Sequence, residues 1–335
     1  MRNTYKKVVV ITGASAGVGR ATAREFAKNG ADVALIARGI DGLMGAKREV
    51  EREGCRALIF PVDVADAEAV EKAADEIESK LGPIDIWVNN AMCSVFSPIS
   101  EMKPEEYKRV TEVTYLGQVY GALSALKRMR TRNRGSIVFV GSALAYRGIP
   151  LQSAYCASKH AIEGFYDSLR TELIHEGSNI KTCMVQLPAM NTTQFGFVKS
   201  RLPNKPQPMG TIYQPEIAAR TIVYASAHNR REIFVGGSTL KAIIGNKIAP
   251  EYADKVLAKN GYSGQMTNQP ENPDRKDNLW EPIPGDHGAH GPFTKKSLKF
   301  SPQVWATTHP AFVTSLMTLL AAGAGYMYTS KLVRS

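Results

Sequence analysis

Tyr155 and Lys159 stand four residues apart in the run Tyr155-Cys-Ala-Ser-Lys159, and on a helix that spacing sets both side chains on one face. The pairing has a chemical use. A phenol of ordinary pKa, about 10, exchanges protons poorly at neutral pH, whereas a fixed ammonium beside it favours the phenolate. Tyr155 is therefore a candidate acid or base at a carbinol or carbonyl oxygen. Ser142 closes the apolar run that begins at Ile137 and offers a hydroxyl at a strand's C-terminal edge, where open parallel sheets bind their ligands. Solvated helix faces also carry Tyr-xxx-Lys pairs by chance, so the surrounding elements decide what this one means.

The first of those elements is at the N-terminus. Lys6-Lys7-Val-Val-Val-Ile11 reads as a buried strand, and it runs through Thr12-Gly-Ala-Ser-Ala-Gly-Val-Gly19 into a helical pattern ending near Ala27. In that context each glycine has a task. Gly13 permits the tight turn, Gly17 lets backbone approach a pyrophosphate, and Gly19 lets the helix pack close to the strand, leaving helix N-terminal amides aimed at an anion. Further strands are predicted at 32–37, 57–62, 84–88, 135–142, 180–187 and 232–235, with helices between them. Alternation of this kind implies right-handed crossovers and a doubly wound α/β fold with a parallel sheet, the Rossmann fold.

The glycine spacing, the Asn89-Asn90-Ala91-Met92 run and the Ser142, Tyr155, Lys159 set together resemble the classical short-chain dehydrogenase/reductase family over roughly residues 6–240. The resemblance implies an NADP(H) or NAD(H) site lined by Gly13, Ser15, Gly17, Val18, Gly19, Asp63, Val64, Asn90, Tyr155, Lys159, Pro188 and Thr193. Where NAD-binding relatives carry an acid after the second strand, this chain has Ala37 and then Arg38. A guanidinium suits a 2′-phosphate, so NADP(H) is expected over NAD(H), with Ser15 able to add a hydroxyl. Asp63 is implied at the adenine amino group, although Asp63 or Asp66 also suits a helix cap.

The chain departs from the family pattern in several places. Met92 replaces a glycine near the cofactor ribose, Ala189 replaces another, and Asn191 stands where relatives have an apolar residue. Thr114 aligns with the asparagine that holds a water linking the lysine to solvent, and it lacks the amide's extra donor and acceptor. Thr114 is thus the family's fourth catalytic position in altered form, and Gln118, one turn on, is a second candidate there. Phe195 and Phe197 fall in the expected substrate lid, as an apolar wall or as core. Ala161, Gly164, Phe165, Ser168 and Leu169 recur at helical spacing, which relatives use for homo-oligomers and which burial within one subunit would also produce.

Composition bounds the rest. The 335 residues are 44% hydrophobic and 22% charged, which excludes wholesale disorder. The net charge of +11 is dispersed, and its densest cluster, Lys127 to Arg134, sits at a predicted helix end where cations favour the macrodipole; no nucleic-acid partner is expected. Cys55, Cys93, Cys156 and Cys183 lack metal-type spacing, His287 and His290 fall in a Gly- and Pro-rich loop, and no signal-peptide pattern opens the chain. A cytoplasmic protein without metal is expected. Residues 1–260 read as the catalytic domain, 261–308 as an extended Pro/Gly-rich arm or linker, and 309–335 as an apolar helix. The uncharged stretch 310–328 would span roughly 28 Å, near a bilayer's hydrocarbon thickness; a membrane anchor and a helix docked on protein are both open. The expected activity is hydride transfer between NADP(H) and an apolar, lipid-like or steroid-like ketone or alcohol. The alternatives are a catalytically weak nucleotide-binding scaffold or sensor, motivated by Met92, Thr114 and Ala189, and an extended-type epimerase or dehydratase, whose glycine spacing differs.

Overall fold

The computed structural model describes residues 6–315, 317 and 318. Strand β1 (Val8–Thr12) is buried throughout, and its alternate side chains feed two separate cores. Val9 and Ile11 point into one, with Phe26, Leu43, Ile217 and Ile222; Val8 and Val10 point into the other, with Ile77, Leu126, Met129 and Tyr166. Two-sided burial of a β-branched run is the signature of a parallel sheet covered by helices on both faces.

Following β1 come α1 (Gly17–Lys28), β2 (Asp32–Ala37), α2 (Ile40–Arg52), β3 (Ala57–Pro61), α3 (Ala67–Leu81) and β4 (Ile84–Asn89). The second half adds α4 (Pro104–Thr111), α5 (Gly117–Arg132), β5 (Gly135–Ser142), α6 (Ser153–His175), β6 (Ile180–Leu187), α7 (Pro215–Ala227) and β7 (Glu232–Phe234). The sheet runs β7-β6-β5-β4-β1-β2-β3 with every pairing parallel. Chain direction across the sheet reverses between β1 and β4, and that switch point opens the crevice in which a ligand binds. This is the doubly wound Rossmann architecture expected from the sequence.

One expected element is interrupted. The helix predicted from about Pro104 to Arg130 is broken by a π-helical turn over Glu112–Leu116, and Thr114 lies inside it. Wide turns of this kind concentrate at functional sites.

Beyond β7 the chain stays on the domain. Helices α8 (Gly237–Ile248) and α9 (Pro250–Asn260) form a pair broken at Pro250. Residues 261–298 are laid across the sheet's C-terminal edge. Met266–Pro270 pairs antiparallel with Asn204–Pro206, and Ser297–Leu298 pairs with Ile212–Tyr213, which in turn pairs with Ala189–Met190. Leu279 is fully buried in the second core, and Phe293 packs edge-on against Phe195 at 5.6 Å between ring centroids. Helix α10 (Pro302–Thr308) follows and buries Val304 in the first core. Most of the apolar stretch 310–328 lies outside the described residues. Among the described residues no helix is long and apolar enough to cross a membrane.

Candidate active site

A single cavity of about 910 Å³ joins the glycine turn after β1 to the Ser142, Tyr155 and Lys159 set. β5 delivers Ser142 at its last residue, and the first two turns of α6 carry Tyr155 and Lys159. Ser142 Oγ accepts the Leu144 N–H at 3.1 Å, which turns the chain out of the strand. Lys159, 2% exposed, donates from Nζ to the Val140 carbonyl at 2.7 Å, and its ammonium lies 5.5 Å from the Tyr155 ring centroid.

Burial dominates the electrostatics here. It pushes the Tyr155 phenol above its ordinary range, and a hydrogen bond with Ser142 draws it part-way back; the same burial lowers Lys159 to about 7. The depressed phenol expected from the ammonium neighbour is therefore not what the structure has. Desolvation is the largest influence on the phenol, and it favours the protonated form.

The glycine turn is built as its spacing requires. Gly13 and Gly17 have φ of +67° and +56°, and a Cβ on Gly19 would overlap the Gly13 carbonyl. Thr12 Oγ accepts the N–H groups of Asn90 at 2.9 Å and Ala91 at 3.1 Å, while Asn90 Nδ2 donates to the Thr12 carbonyl at 2.9 Å. Asn90 thus ties the turn to β4 across the switch point. Val18 is buried, and Ser15, Val64, Pro188 and Thr193 line the same cavity. Thr193 Oγ is buried without a partner among the described residues and lies on the lining of the cavity. Of the two aspartates, Asp66 caps α3 through the Ala69 N–H at 3.0 Å, and Asp63 is paired with the Arg109 guanidinium. A glycine turn that opens a helix, the unpaired Thr193 hydroxyl and cationic Arg38 just after β2 fit a phosphate-bearing dinucleotide.

Other residues have tasks that the sequence does not display. Thr114 Oγ accepts the Cys93 N–H at 3.0 Å and donates to the Cys93 carbonyl at 2.9 Å, so it braces the loop after β4. Gln118 Nε2 reaches the same Val140 carbonyl that holds Lys159, at 3.5 Å, and its Oε1 is buried without a partner among the described residues. Arg109, which belongs to no motif in the sequence, donates from Nε to the Leu279 carbonyl at 3.0 Å. Asn191 accepts the Phe293 N–H at 3.0 Å and donates to Thr294 Oγ at 3.1 Å; its polar side chain fastens the C-terminal segment. Phe195 is a core residue, and Phe197 tilts onto His287 at 5.2 Å. His290 Nε2 lies 2.7 Å from Glu216.

The model of the short chain dehydrogenase family matches residues 7–201, the stretch that holds β1 to β6, the glycine turn and the Tyr155 helix. The chain belongs to that family. An uncharacterized oxidoreductase of Bacillus subtilis is 31% identical over 289 residues, 86% of this chain and 81% of that one. The 3-dehydrosphinganine reductase of Danio rerio is 34% identical over 64% of this chain and 67% of its own. The 17-beta-hydroxysteroid dehydrogenase 13 of Rattus norvegicus is 31% identical over 75% and 82%. Among solved structures, an alcohol dehydrogenase from the archaeon Thermococcus sibiricus complexed with 5-hydroxy-NADP superposes with a TM-score of 0.59 at 27% identity, covering 69% of this chain and 96% of that one. As a short-chain dehydrogenase the protein is an oxidoreductase, and its outer cavity wall, from Ile248, Tyr252, Val256 and Leu257, is an addition beyond the matched residues.

Proposed function

We propose that the protein reduces a ketone on an apolar, lipid-like or steroid-like substrate, with NADPH as the hydride donor. The observation that carries this reading is the one cavity with a phosphate-suited glycine turn and Arg38 at one end, and a proton-bearing Tyr155 at the other. A bound nicotinamide dinucleotide supplies the hydride. Ser142 orients the substrate oxygen, and Tyr155, already protonated, donates the proton that the new alkoxide needs. Lys159, held by the Val140 carbonyl and 5.5 Å from the Tyr155 ring centroid, is the cation placed to return that proton to the phenolate. A neutral phenol suits reduction better than oxidation, which requires a base. Apolar walls at Ile149, Met209, Ile248 and Tyr252 favour a hydrocarbon-rich substrate over a sugar. The relatives named for a sphingoid base and a steroid agree with that class.

Thr114, fully engaged with Cys93, favours a second reading, a nucleotide-binding scaffold without turnover. NADPH oxidation assayed with a 3-keto long-chain base, a 17-ketosteroid and acetone separates the two. Turnover on either large ketone and little on acetone supports the enzyme. Tight NADPH binding with no turnover on any ketone supports the scaffold.

A further inference from the structure

The donors that face the adenosine half of the cleft are tied to the chain's own C-terminal segment. Arg38 Nη1 donates to the carbonyls of Leu279 at 3.3 Å and Trp280 at 2.6 Å, and Nη2 donates to that of Asn278. A guanidinium has five N–H donors, so the Nε–H and one Nη2 N–H remain. Arg38 is half-buried and has no carboxylate partner among the described residues. Asp63, the carboxylate that attracts it, is already paired with Arg109. Burial lowers the pKa of this guanidinium, and the attraction of Asp63 and Glu281, neither of them hydrogen-bonded to it, offsets that only in part.

The segment that supplies those carbonyls is firmly seated. Leu279 is fully buried, and the Gly285 N–H donates to Asp41 Oδ2 at 2.7 Å. Asp286 pairs with the buried Arg20, and the Gly17 N–H donates to the Gly288 carbonyl at 3.1 Å. The cavity persists beneath it: Asn278, Pro282 and Gly285 form one wall, and Ser15, Arg38 and Asp63 the other.

We infer, resting on the dinucleotide reading above, that residues 278–288 are a wall of the cofactor site, whose backbone carbonyls hold Arg38 so that its remaining N–H donors meet the 2′-phosphate of NADP(H). The preference for NADP(H) over NAD(H) then depends on a segment some 240 residues from Arg38 in sequence. The same wall closes the adenosine half, so cofactor exchange requires the strap to lift.

Dinucleotide titrations and amide hydrogen exchange on the full chain test this. In the unaltered protein NADPH slows exchange over 278–288 by about tenfold or more, and NADH slows it less. Leu279→Ala, which unseats the strap away from the phosphate, weakens NADPH by about tenfold and NADH by about twofold. Arg38→Ala has at least the same effect on NADPH, and adding Leu279→Ala to it produces little further loss, the mark of one coupled unit. Faster exchange with NADPH, or tighter NADPH binding by Leu279→Ala, would make the strap a competitor and overturn the inference. Equal losses for both dinucleotides, or none, overturn it as well. If Leu279→Ala fails to fold, the exchange result in the unaltered protein still decides. Failure of the unaltered protein to bind either dinucleotide is a different result: it removes the enzyme reading, and this inference with it.

Discussion

The glycine turn at 12–19 and the strap at 278–288 form facing walls of one cleft, yet they are made in opposite ways. The turn is local. Its conformation follows from three glycines within seven residues, two of them at positive φ, between a strand and a helix that would form in much the same way elsewhere. The strap has no regular secondary structure and no periodic apolar face. It is held by partners far away in sequence: Arg20, Arg38, Asp41 and Arg109. The comparison teaches that a binding site can have one wall specified by backbone sterics and another by scattered polar side chains that capture main-chain groups.

Substitutions on the two walls should therefore fail differently. Gly19→Ala has the largest expected effect. Its Cβ would overlap the Gly13 carbonyl, backbone that cannot give way, so thermal unfolding should show a loss of about 3 kcal/mol, with dinucleotide binding abolished. On the facing wall, Gly288→Ala meets open space and strains only φ, at +68°, so its loss should be about 1 kcal/mol. A loss at Gly288 equal to that at Gly19 would erase the contrast.

Asn191→Leu comes next. It restores the apolar type that relatives carry but leaves the Phe293 N–H without its acceptor, at a cost of about 1–3 kcal/mol. Limited proteolysis should then cut within 278–294 while the sheet domain stays intact. Resistance equal to the unaltered protein would mean that Asn191 does not fasten the C-terminal segment.

The smallest effect is a pH slope. Burial lowers Lys159 to about 7, below its unfolded value, so the unfolded chain holds the extra proton above pH 7 and stability rises with pH there. In denaturant titrations between pH 7 and 9, the unaltered protein should gain stability faster than Lys159→Met, by at most about 1.4 kcal/mol per pH unit. Parallel slopes would mean that Lys159 titrates normally.

Much of the fold was legible because its signals are short-range. The β-branched run of β1, the glycine spacing, Asp66 as a cap and the four-residue step from Tyr155 to Lys159 all act within a few residues of themselves. What was hidden depends on tertiary contact. The expected lowering of the Tyr155 pKa rested on the neighbouring charge alone, and only the folded burial of both groups reverses it. The π-helical turn at 112–116 has no distinct sequence pattern, and the bond that Thr114 makes to the Cys93 backbone depends on that turn. The strap left faint marks. Asn191 departs from the family pattern where its amide holds Phe293 and Thr294, just beyond the strap, and Leu279-Trp280 is an apolar pair within 278–288. Composition alone reads that run as a linker, because main-chain carbonyls captured by distant arginines leave no trace in residue type.

The account's central claim is that Tyr155 delivers the proton while hydride arrives from a dinucleotide in the same cavity. Incubating the full chain with NADPH deuterated at the nicotinamide C4, together with a 3-keto long-chain base, tests both halves at once by mass spectrometry of the product. The account predicts deuterium at the carbinol carbon, and a rate about a hundredfold or more lower in Tyr155→Phe with NADPH affinity preserved. Reduction by Tyr155→Phe at the unaltered rate, or an alcohol product carrying no deuterium, would contradict it.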